Sequence, residues 1–312
     1  MNFAQRRPWF FLLSVLVILP GVICLILSPG LKPGIDFTGG SSLTVQFLEE
    51  SKANQESIRL ELSKTGYDDA KVQNLGIVTS NDNRYETFFL RTKSLTEEQK
   101  DSLVASLNKA FAPESEDTLQ SFDMVSAVVA EETVINALWA VLAAAVGIFF
   151  YIWWAFRNVP SPFRYGLAAI AALLHDAFIV VGIFSILGYL FEIEVNTMFL
   201  IALLTVIGYS VNDTIVVFDK IRENVLIYAN RPFSEVVNLS ISETIGRSLN
   251  TSFTLLVTLL ALLMFGGATI REFLYVLIIG VIAGTYSSIA IATQVLVSWE
   301  QKSIGRFVNS RN

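Results

Sequence analysis

Five stretches without a charged residue, and a sixth interrupted only by an adjacent His-Asp pair, govern what this chain can fold into. They run over residues 8–28, 133–156, 195–212, 248–270 and 273–299, with 165–191 broken by His175 and Asp176; the 195–212 run continues past Asp213 to residue 218. Each reaches or approaches the ~20 apolar residues that carry a helix across ~30 Å of hydrocarbon. Six transmembrane helices are expected, and lipid is the second solvent demanded by a mean hydropathy of +0.55. Only 16% of the residues are charged, against roughly 25% for a soluble domain, so a conventional soluble enzyme is excluded. Arg6 and Arg7 precede the first run as in a signal peptide. Residues 8–28 are long for such a segment and lack a small-x-small cleavage site, and bulky Ile23 before Cys24 argues against a lipoprotein signal. An uncleaved first span follows.

The charges fall into two populations. Residues 29–132 hold ten basic and eighteen acidic side chains, a net −8 against −6 for the whole chain. The expected organisation is a first helix over 1–28, a water-soluble domain over 29–132, and helices two to six over 133–312 with a loop at 219–249. Short-loop Lys and Arg set orientation. Arg6, Arg7, Arg157, Arg164, Lys220, Arg222, Arg231, Arg247, Lys302, Arg306 and Arg311 fall on one side, facing Glu192, Glu194, Glu272 and a single Arg271 on the other. Both termini are therefore expected in the cytoplasm and the acidic domain outside.

Within that domain, strand-like segments at 42–49, 70–78, 84–92 and 118–125 alternate with helix-like segments at 55–65 and 94–111. Ser94 or Thr96 can cap the second helix, and Leu103, Leu107 and Phe111 recur along one face. The order β-α-β-β-α-β predicts a ferredoxin-like α+β fold, which by itself names no function. The domain offers no Cys/His cluster, nucleophile–base pair, phosphate loop or basic patch, so no metal, cofactor, catalysis or nucleic acid is expected of it. Cys24, the one cysteine, has no partner for a disulfide. Gly34-Ile35-Asp36-Phe37-Thr38-Gly39-Gly40, between the first span and this domain, reads as a hinge or a tight turn.

Ionisable groups inside the spans carry the functional signal, since a charge at the bilayer centre costs ~2.5–3.5 kcal/mol on insertion scales. His175 and Asp176 sit near the middle of the third span, either as a proton-exchanging pair or as hydrogen-bonded packing between helices. Asp213, beside Asn212 in span four, is a desolvated carboxylate of the kind used in proton relays. Arg247 by position alone is an interfacial anchor, but the polar run Ser248-Leu249-Asn250-Thr251-Ser252 argues for a deeper, hydrated place. In span six Gly280, Gly284, Ser288 and Ala292 recur every four residues as a ridge for close helix packing. Residues 219–250 read as helical on both sides of a break at Asn230-Arg231-Pro232.

GIDFTGG at 34–40, His175-Asp176, GYSVNDTIVVFDKIREN at 208–224 and ETIGRSLNTS at 243–252 together resemble the SecF branch of the SecD/SecF protein-export family. The resemblance covers nearly the whole chain. It implies half of a resistance-nodulation-division transporter, pairing by pseudo-two-fold symmetry with the six helices of SecD in the bacterial cytoplasmic (inner) membrane. It also implies association with the SecYEG channel and use of a proton gradient, or sodium in some organisms, to pull preprotein outward after the SecA ATPase. The family's transport residues carry over to Asp213 in the Asn212-Asp213 pair and to Arg247, with a carboxylate of SecD completing the site. The expected cycle is protonation at Asp213, rearrangement against Arg247, and rotation of the outer domain about the glycine-rich segment. Val125-Ser126-Ala127 departs from the Val-Gly-Pro usual in the family before span two, and Lys220 stands for its usual Arg. Two other functions compete. An intramembrane hydrolase would use His175 and Asp176 but lacks a nucleophile or metal-ligand signature. A scaffold for SecD would work without Asp213.

Overall fold

The computed structural model describes residues 3–27, 30–80, 83–112, 118–267 and 270–300. Lys302, Arg306 and Arg311, used above for orientation, lie outside them, as do residues 81–82 between the strand-like segments at 70–78 and 84–92. The chain divides into two compact units, Pro33–Ala137 and a second formed by Met1–Lys32 with Leu138–Asn312. In chain order the main elements are α1 (Arg7–Leu27), β1 (Gly40–Leu48), α2 (Gln55–Lys64), β2 (Lys71–Ser80), β3 (Asn83–Thr92), α3 (Glu97–Phe111) and β4 (Leu119–Val125). Five long helices follow: α4 (Ala127–Ala155), α5 (Pro162–Phe191), α6 (Thr197–Ile227), α7 (Phe233–Phe265) and α8 (Arg271–Glu300). With α1 they make six helices long and apolar enough to cross a membrane.

In the unit Pro33–Ala137 the strands form one antiparallel sheet in the order β2-β3-β1-β4. Strand alternation puts Leu43, Val45 and Phe47 of β1 beside Phe88 and Leu90 of β3 on one face, with Leu43 opposite Leu90 and Val45 opposite Phe88. Ile58 and Leu62 of α2, with Leu103 and Leu107 of α3, cover that face and are fully buried, and Phe111 packs at its margin. Both helices start where side chains satisfy their first amides. Asn54 Oδ1 accepts from Ser57 N (2.8 Å) and Thr96 Oγ1 from Gln99 N (3.3 Å), each answered by a reciprocal bond to the cap residue's own amide. Of the two caps the sequence offers for α3, Thr96 is the one used.

In the membrane unit, close approach between helices is bought with glycine. Gly182 of α5 meets Gly21 of α1, where an added Cβ would stand 3.1 Å from the Gly21 Cα, and Gly284 of α8 meets Ser210 of α6. The outer flanks are apolar and exposed, with Leu138, Trp139 and Trp154 on α4 and Phe253 and Val257 on α7. Such faces belong against lipid or other membrane helices.

One boundary differs from the sequence expectation. The compact unit is Pro33–Ala137, against the expected 29–132. The connecting segment 219–249 is mostly helix on both sides of a break, as its sequence reads. α6 runs on to Ile227 and α7 begins at Phe233, with the break near Asn230-Arg231-Pro232. A helix leaving lipid keeps its own hydrogen bonds, and here Asn224 Nδ2 of α6 donates to Ser240 Oγ (3.0 Å) and Glu243 Oε2 (2.9 Å) of α7, holding the two extensions together.

Leu107→Ala removes a fully buried side chain from the unit Pro33–Ala137 and should cost it about 2–5 kcal/mol. Protease resistance of that unit in the intact purified protein should fall, while Leu60→Ala, at an exposed position of α2, should leave it within about 0.5 kcal/mol of the parent.

A buried carboxylate network as the candidate functional site

Four helices and α1 bring hydroxyls, an imidazole and two carboxylates together inside the membrane unit. His175 and Asp213 are each 7% exposed and Asp176 is 0% exposed, so bulk water satisfies none of them. His175 Nδ1 and Asp176 Oδ1 lie 3.0 Å apart, although neighbouring residues on a helix point in different directions; both side chains turn into the same seam. His175 Nε2 is 2.9 Å from Ser14 Oγ of α1. Ser14 donates to Tyr286 Oη (3.3 Å), and Tyr286 donates to the carbonyl of Phe10 (2.7 Å), so this arm ends on a backbone acceptor.

The other side of Asp176 faces α6 and α8. Ser210 Oγ donates to its Oδ2 at 2.5 Å and Ser287 Oγ to the same oxygen at 2.7 Å. With the histidine, three side chains on three helices surround this carboxylate. That is near the number needed to hold a carboxylate out of water without a cation.

Asp213 is provided for less well. It lies one turn beyond Ser210 on α6 and accepts from Ser288 Oγ at 3.1 Å. Ser248 of α7 lies beside it, its buried hydroxyl turned to the carboxylate without a well-formed hydrogen bond. Arg247 is close enough for its charge to act on Asp213, yet it lies exposed on α7, as Asn212 does on α6. A carboxylate with unfilled acceptor sites, a loosely engaged hydroxyl and an arginine at its margin has room to take up a proton or a small cation.

What makes these contacts possible is the distance between α6 and α8. A Cβ at Gly284 would lie 2.8 Å from the Ser210 Cβ, and one at Gly280 would collide with Val206. The ridge of small residues in span six therefore has a polar consequence: it lets Ser287 and Ser288 reach the carboxylates of α5 and α6. A second hydroxyl strip, Tyr209 to Ser252 (3.0 Å) and Ser252 to Thr285 (2.5 Å), ties α6, α7 and α8 nearby.

The glycine-rich segment lies elsewhere, in the unit Pro33–Ala137. Ile35–Thr38 forms a short helical turn closed by Gly39 N donating to Ile35 O (2.8 Å). Gly39 (φ 72°) and Gly40 (φ 129°) take a backbone that L side chains avoid, and a Cβ on Gly40 would stand 2.7 Å from the Thr92 carbonyl. Arg91 of β3 binds the turn at both ends, to Pro33 O (2.9 Å) and Thr38 Oγ1 (2.6 Å). Gly34 and Asp36 belong to the same packed turn.

Of the residues singled out from sequence, Asp213 and Arg247 share one neighbourhood, and His175 and Asp176 join it through serines. Those serines, Ser14, Ser210, Ser287 and Ser288, and Tyr286 are the members that sequence reasoning did not assign to a site. The signal available was their spacing: Ser210 is three residues before Asp213, and Ser288 sits on the small-residue ridge. Among the described residues no group of three or more His, Cys, Asp and Glu is placed to hold a metal ion.

Residues 104–302 match the family profile described as "Protein export membrane protein SecD/SecF, C-terminal", and residues 25–47 match "SecD/SecF GG Motif". A "Protein translocase subunit SecF" from Thermobaculum terrenum is 45% identical over 310 residues, 98% of this chain and 96% of the relative. That of Anaerolinea thermophila is 40% identical over 96% of this chain and 94% of its own length. The "Protein translocase subunit SecDF" of Thermus thermophilus is 35% identical, with 89% of this chain matching 36% of the relative. A crystal structure of SecDF from Thermus superposes with a TM-score of 0.81 at 32% identity, covering 96% of this chain and 39% of that one.

Gly284→Val should force α6 and α8 apart, costing about 1–3 kcal/mol or more, since a side chain has nowhere to go in a packed seam. Thermal unfolding in detergent should register the loss. Gly147→Val, where an added Cβ meets nothing within 4 Å, should unfold like the parent.

Proposed function

The chain belongs to the SecD/SecF family of protein-export membrane proteins as a SecF-type translocase subunit, and we propose that it couples ion flow through its helices to export. Relatives named SecDF imply partnership with SecD. In this reading the exposed edge of α6 and α7 that carries Asn212 and Arg247 meets the SecD helices, and a SecD carboxylate completes the site beside Asp213. The protein lies in the bacterial cytoplasmic membrane with both termini inside and the unit Pro33–Ala137 outside, and it works with the SecYEG channel on a translocating preprotein. It is a transport subunit and not an enzyme.

The observation that carries this reading is the unequal provision of the two carboxylates. Among the described residues Asp176 is enclosed by three close hydrogen-bond partners, whereas Asp213 has a longer bond from Ser288, with the Ser248 hydroxyl only loosely engaged and Arg247 at its margin. Asp213 is then the group that loads and releases the ion, and Arg247 the charge that compensates it when empty. His175 and Asp176 take part by holding α1, α5, α6 and α8 in register around it. One charge crossing the membrane is worth ~2.3 kcal/mol per 100 mV, enough to bias a two-state outer domain by a factor of tens. Movement of that domain outward, with its ferredoxin-like fold and its glycine-rich junction, is the step that would pull preprotein.

Export into inverted membrane vesicles tests this, with the proton and sodium gradients collapsed separately. Asp213→Asn should lose the gradient-dependent part of export by on the order of tenfold while ATP-driven export persists. Export equally sensitive to the gradient in Asp213→Asn and parent would leave the chain as a scaffold for its partner.

A further inference from the structure

Two adjacent serines of α8 serve the two carboxylates of this network, and neither belongs to a motif quoted for the family. Ser287 Oγ donates to Asp176 of α5 and Ser288 Oγ to Asp213 of α6. Successive helical residues point about 100° apart, so one short stretch of helix can address two neighbouring helices at once. At Ser288 the helix also changes character. Ser288–Ala292 is a π-helical segment, with i→i+5 bonding one residue wider than that of an α-helix, a form found mostly as single turns and frequently at functional sites.

The flanks of this segment are fixed. Upstream, Gly280 and Gly284 are pressed against Val206 and Ser210 of α6. Downstream, Glu300 pairs with Arg164 of α5. The extra residue of the π turn is therefore confined between two anchored stretches, where it can shift position without moving either. A shift of the wide turn toward the N-terminus advances the intervening residues by one place. Ser288 would then occupy the position of Ser287 facing Asp176, and Ile289 the position of Ser288 facing Asp213. Asp176 keeps a hydroxyl donor, and Asp213 exchanges its donor for hydrocarbon.

We propose that Ser287 and Ser288 are positioning residues that, through the adjoining π turn, tie the loading of Asp213 to the His175–Asp176 cluster. The inference rests on Asp213 as the ion-loading group and adds the element that senses it. With Asp213 empty and charged, Ser288 is held on it; with Asp213 loaded, that hold weakens and the turn is released to move. The ionisable groups facing this stretch are His175 and Asp176 from α5, Asp213 and Tyr209 from α6, Arg247 from α7 and Tyr286 on α8 itself.

The test uses the chain assembled with its SecD-type partner in inverted vesicles, measuring gradient-driven export while sodium is varied at fixed pH and pH at fixed sodium. Ser288→Ala should change the half-saturating concentration of the coupling ion by roughly three- to tenfold, the size of one lost hydrogen bond. Ser287→Ala should change it too, although Ser287 touches Asp176 and not Asp213. Ser287→Thr and Ser288→Thr, which keep the hydroxyl, should stay within about twofold of the parent, with maximal rates retained throughout. A parental half-saturation in Ser287→Ala would overturn the proposal, as would threonine variants that shift as far as the alanines. Co-purification with the partner checks assembly, and Ser288→Cys replaces Ser288→Ala if the latter does not assemble. Gradient-driven export surviving Asp213→Asn would instead remove the reading on which the proposal stands.

Discussion

A carboxylate carried into hydrocarbon must find its hydrogen bonds inside the protein, and the membrane unit is arranged around two of them. Asp176 recruits a histidine from its own helix and serines from α6 and α8. Those serines arrive only because glycine at 280 and 284 lets α8 lie against α6. Close packing and polar satisfaction are thus one constraint: loosen the glycine seam and the carboxylates lose their donors, with a cost of several kcal/mol for an ion left bare. Asp213 sits on the same seam one turn further on and is less well served, with its closest donor, Ser288, at 3.1 Å.

The six apolar helices and a separate compact unit were legible because charged and apolar residues segregate along the chain. The strands and helices of that unit were legible from alternation and from caps such as Thr96. The charge-free run at 248–270 marks only the second half of α7, and its start at Phe233 was legible instead from the helical pattern that follows the break at Asn230-Arg231-Pro232. The site was half legible. Asp213, Asp176, His175 and Arg247 announce themselves by charge in an apolar context. Serines do not, since a hydroxyl in a membrane helix can equally bond its own backbone, as Thr205 and Thr258 do. Only the helix arrangement reveals that Ser210, Ser287 and Ser288 point at carboxylates.

The glycine-rich segment shows the same limit from the other side. Its composition suits either a hinge or a tight turn, and the coordinates give a turn clasped by Arg91 with two glycines in conformations closed to other residues. Pro33, Thr38 and Arg91 all lie in the same compact unit, so the turn is part of the body whose sheet it is bonded to.

The central claim is that Asp213, and not the better satisfied Asp176, changes its state during transport. Infrared difference spectroscopy of the complex reads this directly, by comparing the carboxyl absorption with and without the coupling ion. The account predicts a carboxyl difference band that disappears in Asp213→Asn and persists in Asp176→Asn. A band that persists in Asp213→Asn and vanishes in Asp176→Asn would contradict it.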